Sequence, residues 1–170
     1  MKKILFYFIG LFLTHFCSAQ IVQATDLLKM HSCTNYDCAN SLIEENGYLY
    51  SDTPIKQEGK TGYLYTHPTE KKLTTSEQST INVYHTIVYE LNESSSEMVI
   101  YYFYGDEEYQ DLLKQLETLG FKKLFVSDKE GGFTYFLTSS PDYPGKALHI
   151  EAETRVKDNH KYTEYTLNIL

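Results

Sequence analysis

Tryptophan is absent from these 170 residues, although they hold 16 tyrosines and nine phenylalanines. Carbohydrate-binding surfaces more often carry exposed tryptophan, so the aromatic content fits protein recognition better, because tyrosine joins a large contact area to a polar tip. The same tyrosines also suit strands simply as good strand formers. Basic charge is scarce too: 15 Lys plus Arg stand against 23 Asp plus Glu, a net charge of −8. That balance makes nucleic acid and anionic lipid poor partners and favours a basic one, although acidity alone also keeps a protein soluble. No serine or cysteine stands in a nucleophile motif, no glycine-rich phosphate loop is present, and no pair of carboxylates stands apart from the general acidity. The sequence thus offers no catalytic residue, metal set or cofactor motif, and an enzyme is the weaker class of reading.

Long apolar runs are missing after the first one. Lys2 and Lys3 precede the apolar stretch from Ile4 to Leu13, and Cys17, Ser18 and Ala19 follow before Gln20. This charged, apolar, small-residue order is that of a secretory signal peptide, residues 1–19. The run is shorter than the roughly 20 residues that a membrane-spanning helix needs. Phe16 is bulky where a lipoprotein signal needs a small residue, which places cleavage after Ala19 rather than before Cys17. The chain is therefore expected in a periplasm or outside the cell, with no transmembrane segment after cleavage. Loss of Lys2 and Lys3, with no acid, moves the net charge from −8 to −10.

Cysteine is almost as rare as tryptophan. Once Cys17 is removed only Cys33 and Cys38 remain, and export carries them to an oxidising compartment, so they are expected to pair. Thr34 and Asp37 fit a capping box at the start of a helix, with Cys33 just outside it and Cys38 one turn in, the two places that a hydrophobic staple joins. The alternatives are a metal site that adds His31 and a redox pair. Zinc prefers four ligands with closer cysteines, and redox motifs place two residues between them.

The rest of the chain turns on two stretches where helical periodicity gives way to strand periodicity at a glycine. In the second, Tyr109, Leu112, Leu113, Leu116 and Leu119 recur at helical spacing, Asp106 is a suitable cap, and Gly120 precedes Phe121, Leu124 and Val126. In the first, Tyr36, Ala39, Leu42 and Ile43 lead to Gly47, Tyr48 and Tyr50. Laying Gly47 on Gly120 brings Ile43 onto Leu116, Glu44 onto Glu117 and Tyr48 onto Phe121, and further along Gly62 meets Gly132. The order reads as a tandem duplication, with chance alignment of two helix-to-strand units as the alternative. A short helix over Ile21–Met30 with Thr25 as its cap precedes the first unit. Strands are expected over Ile81–Leu91, Met98–Tyr104, Phe121–Ser127, Gly132–Thr138, Ala147–Lys157 and Tyr162–Leu170, and loops over Asp52–Lys60 and Pro68–Ser79.

The expected fold class is α+β: residues 20–105 and 106–170 each form a helix followed by a four-stranded antiparallel sheet, with the helices on one sheet face. The other face is left to water or to a partner. Tyr84 and Thr86 point to it, as does the polar set His149, Glu151, Glu153 and Arg155, which alternates with Leu148, Ile150, Ala152 and Val156. A solvated outer face has the same pattern, and the His-Glu-Glu row also suggests a cation or acid/base site. His85 interrupts the apolar alternation of its strand and reads as a buried, hydrogen-bonded histidine or a pocket residue.

In architecture this plan resembles the secreted β-lactamase inhibitory proteins, which use the concave face of their sheet to block an enzyme. The resemblance implies an exported, non-enzymatic binding protein, with another envelope or extracellular protein as its partner, and inhibition as a use of that contact. A small-ligand or cation-binding module and an envelope structural protein are the alternatives.

Overall fold

Three apolar stripes become three helices in the computed structural model, which describes residues 22–170 except 52, 58, 75–78, 93–94, 130–131 and 138–139. The expected signal peptide and its cleavage site lie outside the described residues. Helix α1 (Ala24–His31) buries Leu27, Leu28 and Met30; α2 (Tyr36–Glu44) buries Ala39 and Ile43; α3 (Asp106–Thr118) buries Tyr109, Leu112 and Leu116. None of these helices is long and apolar enough to cross a membrane.

The strands are β1 (Leu49–Tyr50), β2 (Ile55–Gln57), β3 (Lys60–Thr66), β4 (Lys71–Thr74), β5 (Thr80–Val83), β6 (Thr86–Asn92), β7 (Ser95–Tyr104), β8 (Lys123–Lys129), β9 (Gly132–Leu137), β10 (Leu148–Lys157) and β11 (His160–Ile169). Nine of them make one antiparallel sheet in the order β1-β3-β6-β7-β11-β10-β9-β8, with β2 also pairing β3. Strands β4 and β5 form a separate two-stranded sheet. The fold is thus α+β with an antiparallel sheet, as the periodicities indicate. Two separate four-stranded sheets do not form, because β7 pairs with β11 from Val99↔Ile169 to Tyr104↔Glu164 and fuses the halves.

Alternation along the strands sends one set of side chains to the helices. Tyr65, Ile87, Tyr89, Val99, Tyr101, Phe103, Ile150, Leu167 and Ile169 are buried there against the apolar stripes of α1, α2 and α3. Each such side chain contributes roughly 1.5–3 kcal/mol by leaving water, so this layer carries most of the favourable energy.

Several local expectations are corrected. The Ile81–Leu91 segment is not one strand: β5 ends at Val83, the chain turns through Tyr84 and His85, and β6 begins at Thr86. Ile81 and Val83 therefore pack with Leu73, Tyr104 and Tyr162 in a small second cluster. The expected loops 52–60 and 68–79 contain β2 and β4, whose few residues are too polar to show an alternation. The cap of α2 is Asn35, whose side chain accepts from Cys38 N–H at 2.9 Å, and not Thr34. Gln23 rather than Thr25 precedes α1, and Gly105 rather than Asp106 precedes α3; neither makes a side-chain cap bond. Cys33 and Cys38 form the expected disulfide.

Candidate functional site

The sheet face turned away from the helices is built by the residues that alternate with the core set. Cross-strand pairing aligns Leu64, Val88, Ile100, Asn168, His149, Phe136 and Phe125 in one transverse row. The neighbouring row is Leu49, Thr66, Thr86, Tyr102, Thr166, Glu151, Thr134 and Ser127. A mainly apolar row therefore lies beside one made largely of hydroxyl groups. No helix packs on this face among the described residues, and Leu64, Val88, Ile100, Tyr102 and Phe136 keep part of their surface.

The site residues expected from sequence are distributed over this face. Thr86 and Glu151 share the second row, three strand spacings or about 14 Å apart, with Tyr102 and Thr166 between them. His149 sits in the apolar row, its Nε2 3.8 Å from Glu151 Oε1. Glu153 and Arg155 lie toward one end of the sheet and engage each other at 2.9 Å, while Arg155 Nε donates to Glu164 at 2.8 Å. Glu153 is therefore engaged by an arginine on its own strand. Among the described residues no cluster of three or more His, Cys, Asp or Glu is disposed to hold a metal ion. Tyr84 stands off the sheet in the link between β5 and β6, its hydroxyl donating to Glu70 at 2.5 Å.

The β4–β5 hairpin closes one end of this face, with Leu73, Ile81 and Val83 on Tyr104 and Tyr162. Lys157 Nζ donates to Asn82 O at 2.5 Å and ties the same hairpin to β10. Beneath the hairpin lies a buried ionic network that the sequence did not reveal. Glu108, in the first turn of α3, receives His85 Nε2 at 3.0 and 3.1 Å, Lys71 Nζ at 2.7 Å and the Tyr104 N–H at 3.1 Å. Burial alone would raise the Glu108 carboxyl, but the hydrogen bonds and charges of His85 and Lys71 outweigh it and hold the group below the ordinary carboxylate value. His85 is the buried, hydrogen-bonded histidine of the sequence reading. Glu108 was legible only as a helix-dipole residue; the missed signal is its place three residues after Gly105, from which a glutamate reaches back to a backbone N–H at the helix entrance. Outside the network, Lys71 lines an open cleft of about 550 Å³ with Thr74, Asp106, Thr154, Lys161 and Tyr162.

This network latches the hairpin to the first turn of α3, the geometry of a structural tie. The face that the hairpin bounds carries apolar side chains in one row and hydroxyl-bearing ones in the next. No protein-family model, curated protein or solved structure matches the chain.

Proposed function

We propose that this chain is an exported, non-enzymatic binding protein that contacts another envelope or extracellular protein through the helix-free face of its sheet, with inhibition of that partner as one use of the contact. The observation that carries the reading is the pair of transverse rows just described. Partly exposed Leu64, Val88, Ile100 and Phe136 beside Tyr102 and the threonines combine apolar area with a polar rim, the composition of a recognition surface. Glu153 and Glu164 are ion-paired with Arg155, so it is the overall charge of −8 that favours a basic partner.

The test immobilises residues 20–170 and challenges them with envelope and secreted protein fractions. The expected result is saturable capture of one protein at near-equal stoichiometry, lost when Tyr102, His149 and Glu151 are replaced by alanine. Arg155 is left intact because its guanidinium is engaged by Glu153 and Glu164. Equal capture by the triple variant would remove this surface from consideration.

We also infer that the two halves descend from a tandem duplication. After α1, each half runs as one helix, α2 or α3, and then strands paired in series, β1/β2-β3-β6-β7 and β8-β9-β10-β11, and their last strands meet at the centre of the sheet. Both helices end alike: Gly47 and Gly120 have φ of 82° and 86°, Tyr48 N–H donates to Ile43 O at 3.2 Å, and Phe121 N–H to Leu116 O at 3.0 Å. The β4–β5 hairpin is then an insertion in the first half.

A further inference from the structure

The β4–β5 hairpin leaves the large sheet and returns to it at one place. Strand β3 ends at Thr66 and β6 begins at Thr86, which face each other across the ladder, and just beyond them His67 N–H donates to His85 O at 2.9 Å. Among the described residues β4 and β5 pair with each other and with no strand of the large sheet. An excursion with adjacent stems can swing as a unit without breaking any strand pair of that sheet. Little apolar area holds it down: Leu73, Ile81 and Val83 pack on Tyr104 and Tyr162 in a cluster separate from the main core. A two-stranded hairpin also has little stability of its own. Polar ties come from Lys71, whose Nζ lies 2.7 Å from Glu108 Oε2 and donates to Tyr104 O at 2.5 Å, and from Lys157, which donates to Asn82 O.

We propose that β4 and β5 form a hinged flap that opens about the stems at Thr66 and Thr86, with the Glu108 carboxylate as its latch. Glu108 grips both stems at once: Lys71 follows the outgoing one, and His85 ends the returning one with its Nε2 at 3.0 Å. Removing that single charge therefore weakens the hold on both sides of the hinge. Closed, the flap leaves Tyr104 only 7% exposed and supplies Lys71, Leu73 and Thr74 to the cleft that Thr154 and Lys161 also line. Open, it uncovers Tyr104 and Tyr162, whose ring centroids lie 6.0 Å apart. Tyr104 stands two residues beyond Tyr102 on β7 and so on the same face, which means that opening lengthens the helix-free face by two tyrosines. Its value as a gate on binding rests on the proposed use of that face, whereas the movement itself does not.

The test follows thiol labelling in residues 20–170 carrying one introduced cysteine. Cys33 and Cys38 are joined to each other, so that thiol is unique in the mature chain. Val83→Cys and Ile81→Cys report the flap, because both side chains are buried in its contact with the sheet, and Val99→Cys, fully buried in the main core, reports global unfolding. The flap thiols are expected to react at least about tenfold faster than Val99→Cys and to respond weakly to urea, since opening the flap exposes far less surface than unfolding. Glu108→Gln in the Val83→Cys background is expected to speed labelling by at least about tenfold, the scale of one lost charge-assisted hydrogen bond. Lys71→Gln, which keeps the carboxylate and frees the outgoing stem, is the second variant and is expected to act in the same direction. Equal rates and equal urea dependence for flap and core thiols overturn the flap. Labelling of Val83→Cys that neither Glu108→Gln nor Lys71→Gln changes overturns the latch. No partner enters the experiment, so either failure is distinct from a failure of the binding reading.

Discussion

His31 closes α1 with its imidazole against Lys146 Nζ, and its environment favours the neutral ring. Burial first, and then the neighbouring lysine charge, lower its pKa from 6.5 to about 4. A base that binds its proton less readily when folded is worth most above its unfolded pKa. Its contribution is therefore complete above pH 6.5 and drains away as pH falls toward 4, by about 3 kcal/mol over the interval. Glu108 acts in a lower window: its carboxyl is held below the ordinary value, so the latch to Lys71 and His85 persists until pH falls past the normal carboxylate range. Urea unfolding across this pH range is expected to show both losses, with His31→Gln flattening the upper window and Glu108→Gln the lower one. A parallel pH slope in parent and His31→Gln would contradict the assignment.

Local sequence determined the elements unevenly, in step with how much of each element's shape is a short-range matter. The helix stops at Gly47 and Gly120 were legible because a left-handed residue there is a local requirement. Asp158 and Asn159 fall between the strands expected over 147–157 and 162–170, and both take positive φ, 51° and 64°, to close the β10–β11 hairpin. Gly132 is a different case, since its need for glycine comes from a neighbouring strand: a Cβ there would lie 1.7 Å from the Ala152 carbonyl oxygen. Gly132→Ala is expected to cost about 3 kcal/mol or more, seen as a shifted denaturant midpoint or loss of soluble protein, since the obstruction is backbone rather than a movable side chain. A midpoint within experimental error of the parent would show that β9 and β10 can separate there at little cost. The break between β5 and β6 was not legible either. Ile81 and Val83 have the same alternation as Ile87 and Tyr89, and no local feature tells which core each pair joins.

At the scale of the molecule, the pairing of β7 with β11 makes one core out of two halves. Val99, Tyr101 and Phe103 lie between elements from both ends of the chain, so neither half buries its own apolar surface. Unfolding is expected as a single transition, coincident by circular dichroism and tyrosine fluorescence, and residues 20–105 alone are expected not to fold. Two separate transitions would show that the halves are independent. The sequence by itself determined the fold class, the disulfide, the helix stops at Gly47 and Gly120 and the sets of residues that alternate between two faces. These follow from backbone periodicity, turn stereochemistry and the count of available thiols, all of which act over a few residues. Only the tertiary structure decided that the halves share a sheet, that Glu108 lies beside Lys71 and His85, and that β8 rather than β1 is the long free edge. Those outcomes depend on which strands meet across long stretches of chain, and the choice is made by total buried area and by the pairing of buried charge rather than by any neighbouring residue.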